Sequence, residues 1–474
     1  MRNKALILLA CGVVLSLTFS YFELALGFSA LGIFILQLSY LIKVRRIISG
    51  VLPLVFALGT IFCWVMGFLG CLYLLPNTDF LIGRHTLLTM VLLNIALLGG
   101  FMGTMFSFSF VWKTPEAEKT SPLSESSVVK GLLVTLAILV AWISISYVGG
   151  ILTARANLGS FLNPDSILYF TSALSAVQYL FFFFLGAYMK EPAFSKRNII
   201  IILILIASGL LFALPGGRST TVRILFVFLS GVLFSNLKLK NLKIMTVFFG
   251  FFAIAILFTI GYVRSYGDFQ ERTVPQRIDI LVSVIRDHQP LYNNQYDNPL
   301  YSIFTRIAEP SGQVVIDNVG EAKTYAGFIN FDRISYLYTP KFIDEDKPSL
   351  DDGPERLYLD YNVPFDEFTS SPITLLADSY ARWGYVGVFA IPFILSFLLA
   401  TIGRILYSLQ NKLLGIFLIF YFMSICFSMY TMSILGLINM LFYIFIRDFL
   451  VISLVILVTT PRDKGSLFVE DSTI

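Results

Sequence analysis

Residues 384–403 read GYVGVFAIPFILSFLLATIG, a run with no charged side chain that Arg382 precedes and Arg404 follows. A helix rises about 1.5 Å per residue, so about 20 apolar residues cross the hydrocarbon core of a bilayer. The run therefore reads as a membrane span, and most of the chain repeats its pattern. Hydrophobic residues make up 57% and charged residues 14%, with 46 Phe and a mean hydropathy of +0.79. Soluble domains average about 45–50% apolar and 25% charged residues. A soluble fold of 474 residues has too little interior to hide this much apolar surface. The fold class is an all-α polytopic membrane protein.

Working outward from 384–403, comparable runs lie at 5–22, 24–42, 51–75, 87–112, 131–151, 167–189, 198–214, 222–236, 244–263, 413–433 and 436–460, which predicts twelve spans. The join near Ile434–Leu437 is open. With the N-terminus inside, every inward segment carries two or three Lys or Arg, such as Lys43, Arg45 and Arg46, or Lys190, Lys196 and Arg197. The short outward loops hold only Arg84, Arg155, Arg218 and Arg223. That asymmetry is the positive-inside signature and places both termini in the cytoplasm. The opening MRNK followed by an apolar run has the look of a signal peptide, but with further spans behind it reads as a first span. Cys11, Cys63, Cys71 and Cys426 all fall in predicted spans, so neither a disulfide nor a metal site is expected. No P-loop, dinucleotide fingerprint or Cys/His metal motif occurs.

The chain divides into a bundle at 1–263, an outward loop domain at 264–382, a second bundle segment at 383–460 and a cytoplasmic tail at 461–474. The loop domain holds 11 Lys and Arg against 19 Asp and Glu, a net of −8 within a chain of +4. Ser302–Val319 has helical spacing, and the acidic Asp344–Glu355 run reads as turns. Segment 356–372, rich in aromatics and Pro, reads as extended chain along the membrane surface. Such an insertion is either a partner-docking surface or a lid over a cavity, and the lid is favoured because functional residues concentrate on loops.

The scarce charges supply the candidate site. In Pro215-Gly216-Gly217-Arg218-Ser219-Thr220-Thr221, a glycine turn opens a helix whose first amides favour an anion, with Arg223 one turn on. These arginines either snorkel to the interface or clamp a diphosphate. The loop entry adds Arg264, Arg272, Arg277, Arg286 and Arg306, with no lysine among them. Guanidinium alone suits fixed anion contacts. At the loop's far end Asp378 and Arg382, spaced i,i+4, either pair on a helix or serve the site beside Tyr380. Gly384 and Gly387 predict a bend or a close helix contact. His288, Glu309 and Asp378 are the acid–base candidates, and Asp448 beside Arg447 reads as an intramembrane pair.

Gly216-Gly217-Arg218-Ser219 opening an apolar helix, and Ser371-Pro372 followed by Tyr380-Ala381-Arg382-Trp383-Gly384-Tyr385-Val386-Gly387 after the largest outward loop, resemble the Wzy family of bacterial oligosaccharide repeat-unit polymerases. The resemblance covers nearly the whole chain through its span and loop layout. It implies a GT-C-like bundle with a periplasmic loop in the inner membrane, and transfer of a glycan from undecaprenyl diphosphate to an incoming lipid-linked repeat. It further implies no metal or other cofactor, and as partners the lipid-linked oligosaccharide, membrane lipid and a chain-length co-polymerase, with no nucleic acid. Under it Arg218, Arg223, Arg264 and Arg272 hold diphosphates, while Tyr292, Tyr296, Tyr358 and Tyr361 offer faces to sugars. Some members carry Arg-x10-Gly motifs, but no loop arginine here has Gly eleven residues on. An O-antigen ligase, with His288 as its loop histidine, is the nearest alternative. A twelve-span flippase is another, although no repeat of two six-span halves is seen.

Overall fold

The computed structural model describes residues 2–44, 46–69, 86–110, 125–148, 176–192, 195–213, 218–235, 310–319, 325–337, 339, 347–361, 373–409 and 412–459. Within them the ordered elements are helices, with no strand. The bundle opens with α1 (Arg2–Thr18), α2 (Phe22–Lys43), α3 (Val51–Ile61), α4 (Thr86–Phe110) and α5 (Glu125–Val148). It continues with α6 (Val177–Ala187), α7 (Lys196–Ala213) and α8 (Arg218–Val232). Two short helices, α9 (Pro310–Asn318) and α10 (Gly353–Tyr361), precede α11 (Leu375–Ser408), α12 (Lys412–Ser428), α13 (Ile434–Asn439) and α14 (Phe445–Thr459).

Five stretches are long and apolar enough to cross a membrane: Phe22–Lys43, Thr86–Ser109, Leu375–Ser408, Leu413–Thr431 and Ile434–Leu457. Their outer faces stay apolar, with Leu98, Met102, Phe106, Ile394, Leu450 and Leu454 all exposed. Water would not tolerate such stripes, whereas acyl chains match them. The protein is a multi-pass membrane protein. The expected ninth span, 244–263, lies outside the described residues.

Helices in lipid gain little from hydrophobic association and instead rely on close packing. Gly99, Gly100 and Gly103 of α4 lie against Phe389, Pro392, Phe393 and Ser396 of α11, where a Cβ at Gly99 or Gly103 would strike a backbone carbonyl. The second half of the core is aromatic. Phe182, Phe183 and Phe184 of α6 are fully enclosed, Phe183 meets Phe417 of α12 edge to face at 5.3 Å, and Phe422 stacks on Phe445 at 3.9 Å.

Helix ends meet in two groups. At one, Thr86 at the start of α4 donates to Glu23 at the start of α2, and Thr89 donates to Gln313 of α9 at 2.6 Å. At the other, Arg404 donates to the carbonyl of Ser107, while Lys190 and Arg197 pair with Glu125. Two expectations for the loop need correction. Segment 356–361 is helical, not extended, and the acidic run enters the same helix at Gly353, with Asp352 buried and Glu355 exposed. Asp351 and Asp352 precede Gly353-Pro354, and side-chain capping with a proline in the first turn starts a helix there. Residues 362–372 lie outside the described residues.

Gly103→Ala forces a methyl into the Phe393 carbonyl and should cost about 1–3 kcal/mol. Thermal unfolding of the detergent-solubilised protein reads this as a lowered midpoint, which Gly32→Ala, facing open space, should not reproduce.

Candidate functional site

Two polar clusters stand out within this apolar bundle. The first sits where α9, α10 and the starts of α11 and α13 converge. Thr374 caps α11 through its hydroxyl, which accepts from the Ala377 amide at 3.3 Å, and the first turns then place Asp378 and Arg382 on one face. Arg382 is 0% exposed. Its Nε donates to Asp378 Oδ1 at 3.0 Å, its Nη2 to Asp352 Oδ2 at 2.7 Å, and its Nη1 to the carbonyls of Ile329 (2.8 Å) and Gly327 (3.3 Å). Asp378 also accepts from Arg356 of α10 and, at 2.8 Å, from the backbone amide of Ile434 at the start of α13. Asp352 takes a further bond from Asn330 at 3.1 Å. Ser433 caps α13 and donates to Asp351 at 2.7 Å.

This arrangement is an ionic clasp joining four chain segments. Asp351 is its third carboxyl against two guanidiniums. Burial pushes that carboxyl above the usual range, the charges of Asp352 and Asp378 add to the rise, and the bonds from Ser433 and Gly353 oppose it. Arg333 and Glu355 pair at the edge of the cluster at 2.7 Å, and the Arg333 hydrogen bond holds the Glu355 carboxyl below its ordinary value.

The clasp decides how Asp378, Tyr380 and Arg382 sit. The i,i+4 pair forms, and every nitrogen of Arg382 bonds to a protein acceptor. Asp378 accepts from three donors at once. Tyr380 packs its ring on Tyr325 (6.2 Å) and Tyr385 (5.7 Å). All three are buried. The expected bend lies at Trp383 and Gly384, where Gly384 has φ +59°. Gly387 approaches the Ser379 carbonyl so closely that no Cβ fits.

The second cluster lies inside the bundle. Arg223 of α8 donates to Ser424 of α12 at 3.0 Å and to the Tyr179 hydroxyl of α6 at 3.5 Å. Its guanidinium also faces the Tyr179 and Tyr421 rings at 5.4 and 5.8 Å. Tyr421 donates to Asp448 of α14 at 2.5 Å, and Arg447 pairs with Asp448 at 2.8 Å, as the adjacent charges predict. Among the described residues no carboxylate comes within ion-pair distance of Arg223. Arg218 is the first residue of α8.

His288, Glu309, Arg264, Arg272, Arg277, Arg286 and Arg306 lie outside the described residues, as do Tyr292 and Tyr296. Tyr358 is exposed, and Tyr361 lies beside Arg356. Sequence reasoning missed Asp351, Asp352 and Arg356 in the clasp, and Tyr179, Tyr421 and Ser424 around Arg223. For the clasp the signal was the helix start in Asp351-Asp352-Gly353-Pro354. Nothing in local spacing marks the tyrosines. Among the described residues no acid, histidine or cysteine group has the geometry to hold a metal.

Arg382→Met leaves Asp352 buried without an ion-pair partner and Asp378 with Arg356 alone, and should cost about 3–5 kcal/mol, against about 0–1 kcal/mol for Arg333→Met at the exposed pair. Thermal unfolding of the two purified variants separates these outcomes. The raised Asp351 value favours the folded state at low pH, and this contribution is lost as pH rises through the folded pKa. Asp351→Asn should therefore gain stability relative to the parent as pH rises above the ordinary aspartate value of about 4. A constant difference between the two unfolding profiles would show that this carboxyl titrates normally.

No family model matches this chain, and neither a curated protein nor a solved structure does.

Proposed function

We propose that the protein is a Wzy-type integral-membrane glycosyltransferase of the bacterial inner membrane. It polymerises undecaprenyl-diphosphate-linked oligosaccharide repeats on the outward side, without a metal or other cofactor. The observation that carries the reading is Arg223, a permanent charge within an apolar helix that contacts a serine and two tyrosine rings and, among the described residues, makes no direct ion pair, with Asp448 lying behind the Tyr421 hydroxyl. A guanidinium in a span is expensive, and such residues mark functional pathways. With Arg218 opening the same helix, the lipid diphosphate is the anion that suits it. Developing negative charge on the leaving diphosphate is stabilised by fixed cations, which is the main demand of this chemistry.

The pairing of helix ends supports the twelve-span, both-ends-inside arrangement with a periplasmic loop. Glu23, Thr86, Asp378 and Ser433, all placed outside by the Lys and Arg distribution, lie among contacts at one end. Arg404, Lys190, Arg197 and Glu125, all placed inside, lie among contacts at the other. In this reading the clasp seats the loop domain as a lid on the outward end. Arg264, Arg272, Arg277, Arg286 and Arg306 then reach the diphosphates from the loop side, His288 or Glu309 activates the acceptor hydroxyl, and a chain-length co-polymerase docks alongside.

The test is gene deletion followed by gel analysis of surface polysaccharide. The expected result is single repeats on the lipid anchor with the long ladder lost, whereas loss of all attached glycan assigns the O-antigen ligase activity instead. Arg218→Ala, Arg223→Ala and Arg264→Ala should each abolish long chains at normal protein level. Unchanged ladders in all three would remove the diphosphate role.

A further inference from the structure

The bend in α11 is surrounded by aromatic side chains from two distant parts of the chain. The turn at 325–331 docks there through its backbone, with Ala326 donating to the Ala381 carbonyl at 2.9 Å and Gly327 to the Arg382 carbonyl at 3.0 Å. Phe328 meets Trp383 at 5.3 Å and Phe331 at 5.2 Å, both edge to face. Beside them Tyr325 packs on Tyr380. The Phe328 ring is nevertheless 72% exposed, and Ile329 and Tyr325 are exposed with it.

What covers this surface follows from the helix it sits on. Beyond Gly384 the same helix exposes Val386, Ile394, Leu398 and Ile405, with Val386 74% exposed. At 100° per residue these four fall on one face, and in a span that face meets acyl chains. On the other side of Gly384 lie Arg382, Asp378 and Asp352, all buried and charged. The bend thus divides a polar region from a lipid-facing one. Aromatic rings gather at that level in membrane proteins because one part of the group prefers hydrocarbon and another prefers headgroups.

We propose that the turn 325–331, together with Trp383 and Tyr385, is an interfacial anchor whose partner is the headgroup–acyl boundary of the bilayer. The turn extends the lipid-facing stripe of α11 sideways and holds the loop domain against the membrane, with Phe328 immersed. The inference requires only that α11 spans the membrane and stands apart from the polymerase reading.

The test is fluorescence of full-length Phe328→Trp protein in phosphatidylcholine–phosphatidylglycerol vesicles, reading the emission that the substitution adds over the parent. Lipids brominated high on the acyl chain should quench that emission, and aqueous iodide should not. Val386→Trp, on the helix itself, provides the reference depth, and Tyr325→Trp repeats the measurement if the first variant fails to fold. Bromolipid quenching in the turn equal to that at Val386→Trp carries the proposal. Quenching of the turn variant by iodide, with Val386→Trp still quenched by bromolipid, overturns it.

Discussion

The interaction on which the arrangement depends is the burial of the Arg382 guanidinium between Asp378 and Asp352. Removing an ionised group from water costs several kcal/mol, and only close partners offset it. Here the partners come from different segments: Asp378 from the same helix, Asp352 from the start of α10, and the Gly327 and Ile329 carbonyls from the 325–331 turn. Asp378 in turn fixes Arg356 and the first amide of α13. Such a network holds one arrangement because moving any segment leaves a charge unpaired. Asp352 Oδ1 and the Nε and Nη2 of Arg356 are buried without a hydrogen bond among the described residues, so the clasp is held at some cost.

The rest of the bundle follows a different rule. In lipid, apolar side chains gain little by leaving the solvent, so helices hold together where backbones approach closely or where rings interlock. The glycines of α4 against α11 are the first case, and the Phe181–Phe184 run against α8 and α12 is the second. The charged groups gather at helix ends and in the Arg223–Tyr421–Asp448 cluster, while neutral polar side chains bridge α2 and α4 between their ends, Asn94 to the Leu26 carbonyl and Gln37 to Thr104. That cluster stays polar inside an otherwise apolar core, with Arg223 held by rings and a hydroxyl and Asp448 by Arg447 and Tyr421.

Much of the helical layout was legible because a 20-residue apolar run has few alternatives. The Asp378–Arg382 pair was legible as well, since i,i+4 spacing is a local property of helices. Asp352 and Arg356 were not, because their partners lie 30 and 22 residues away and no local period encodes that distance. Segment 356–361, expected as part of an extended 356–372, was misread for a related reason. The aromatics and prolines of 356–372 favour extended chain locally, but Leu357 and Arg356 find burial only when the turn is helical. Arg223 was singled out correctly as a charge in an apolar row, while its tyrosine and serine neighbours come from α6 and α12.

Sequence alone determined that this protein lives in a bilayer, where its apolar helices lie, and that arginine outnumbers lysine in the segment 264–382. Composition and periodicity are additive along the chain, so they survive without knowledge of any contact. Only the tertiary structure decided what the charges do to one another. It turned Asp378 and Arg382 from a candidate acid and anion holder into the core of a clasp, left Arg223 without a carboxylate partner among the described residues, and bent α11 at Gly384 where charge gives way to lipid-facing side chains. Those outcomes depend on which segments meet, and the energy of a buried charge is set by its neighbours in space.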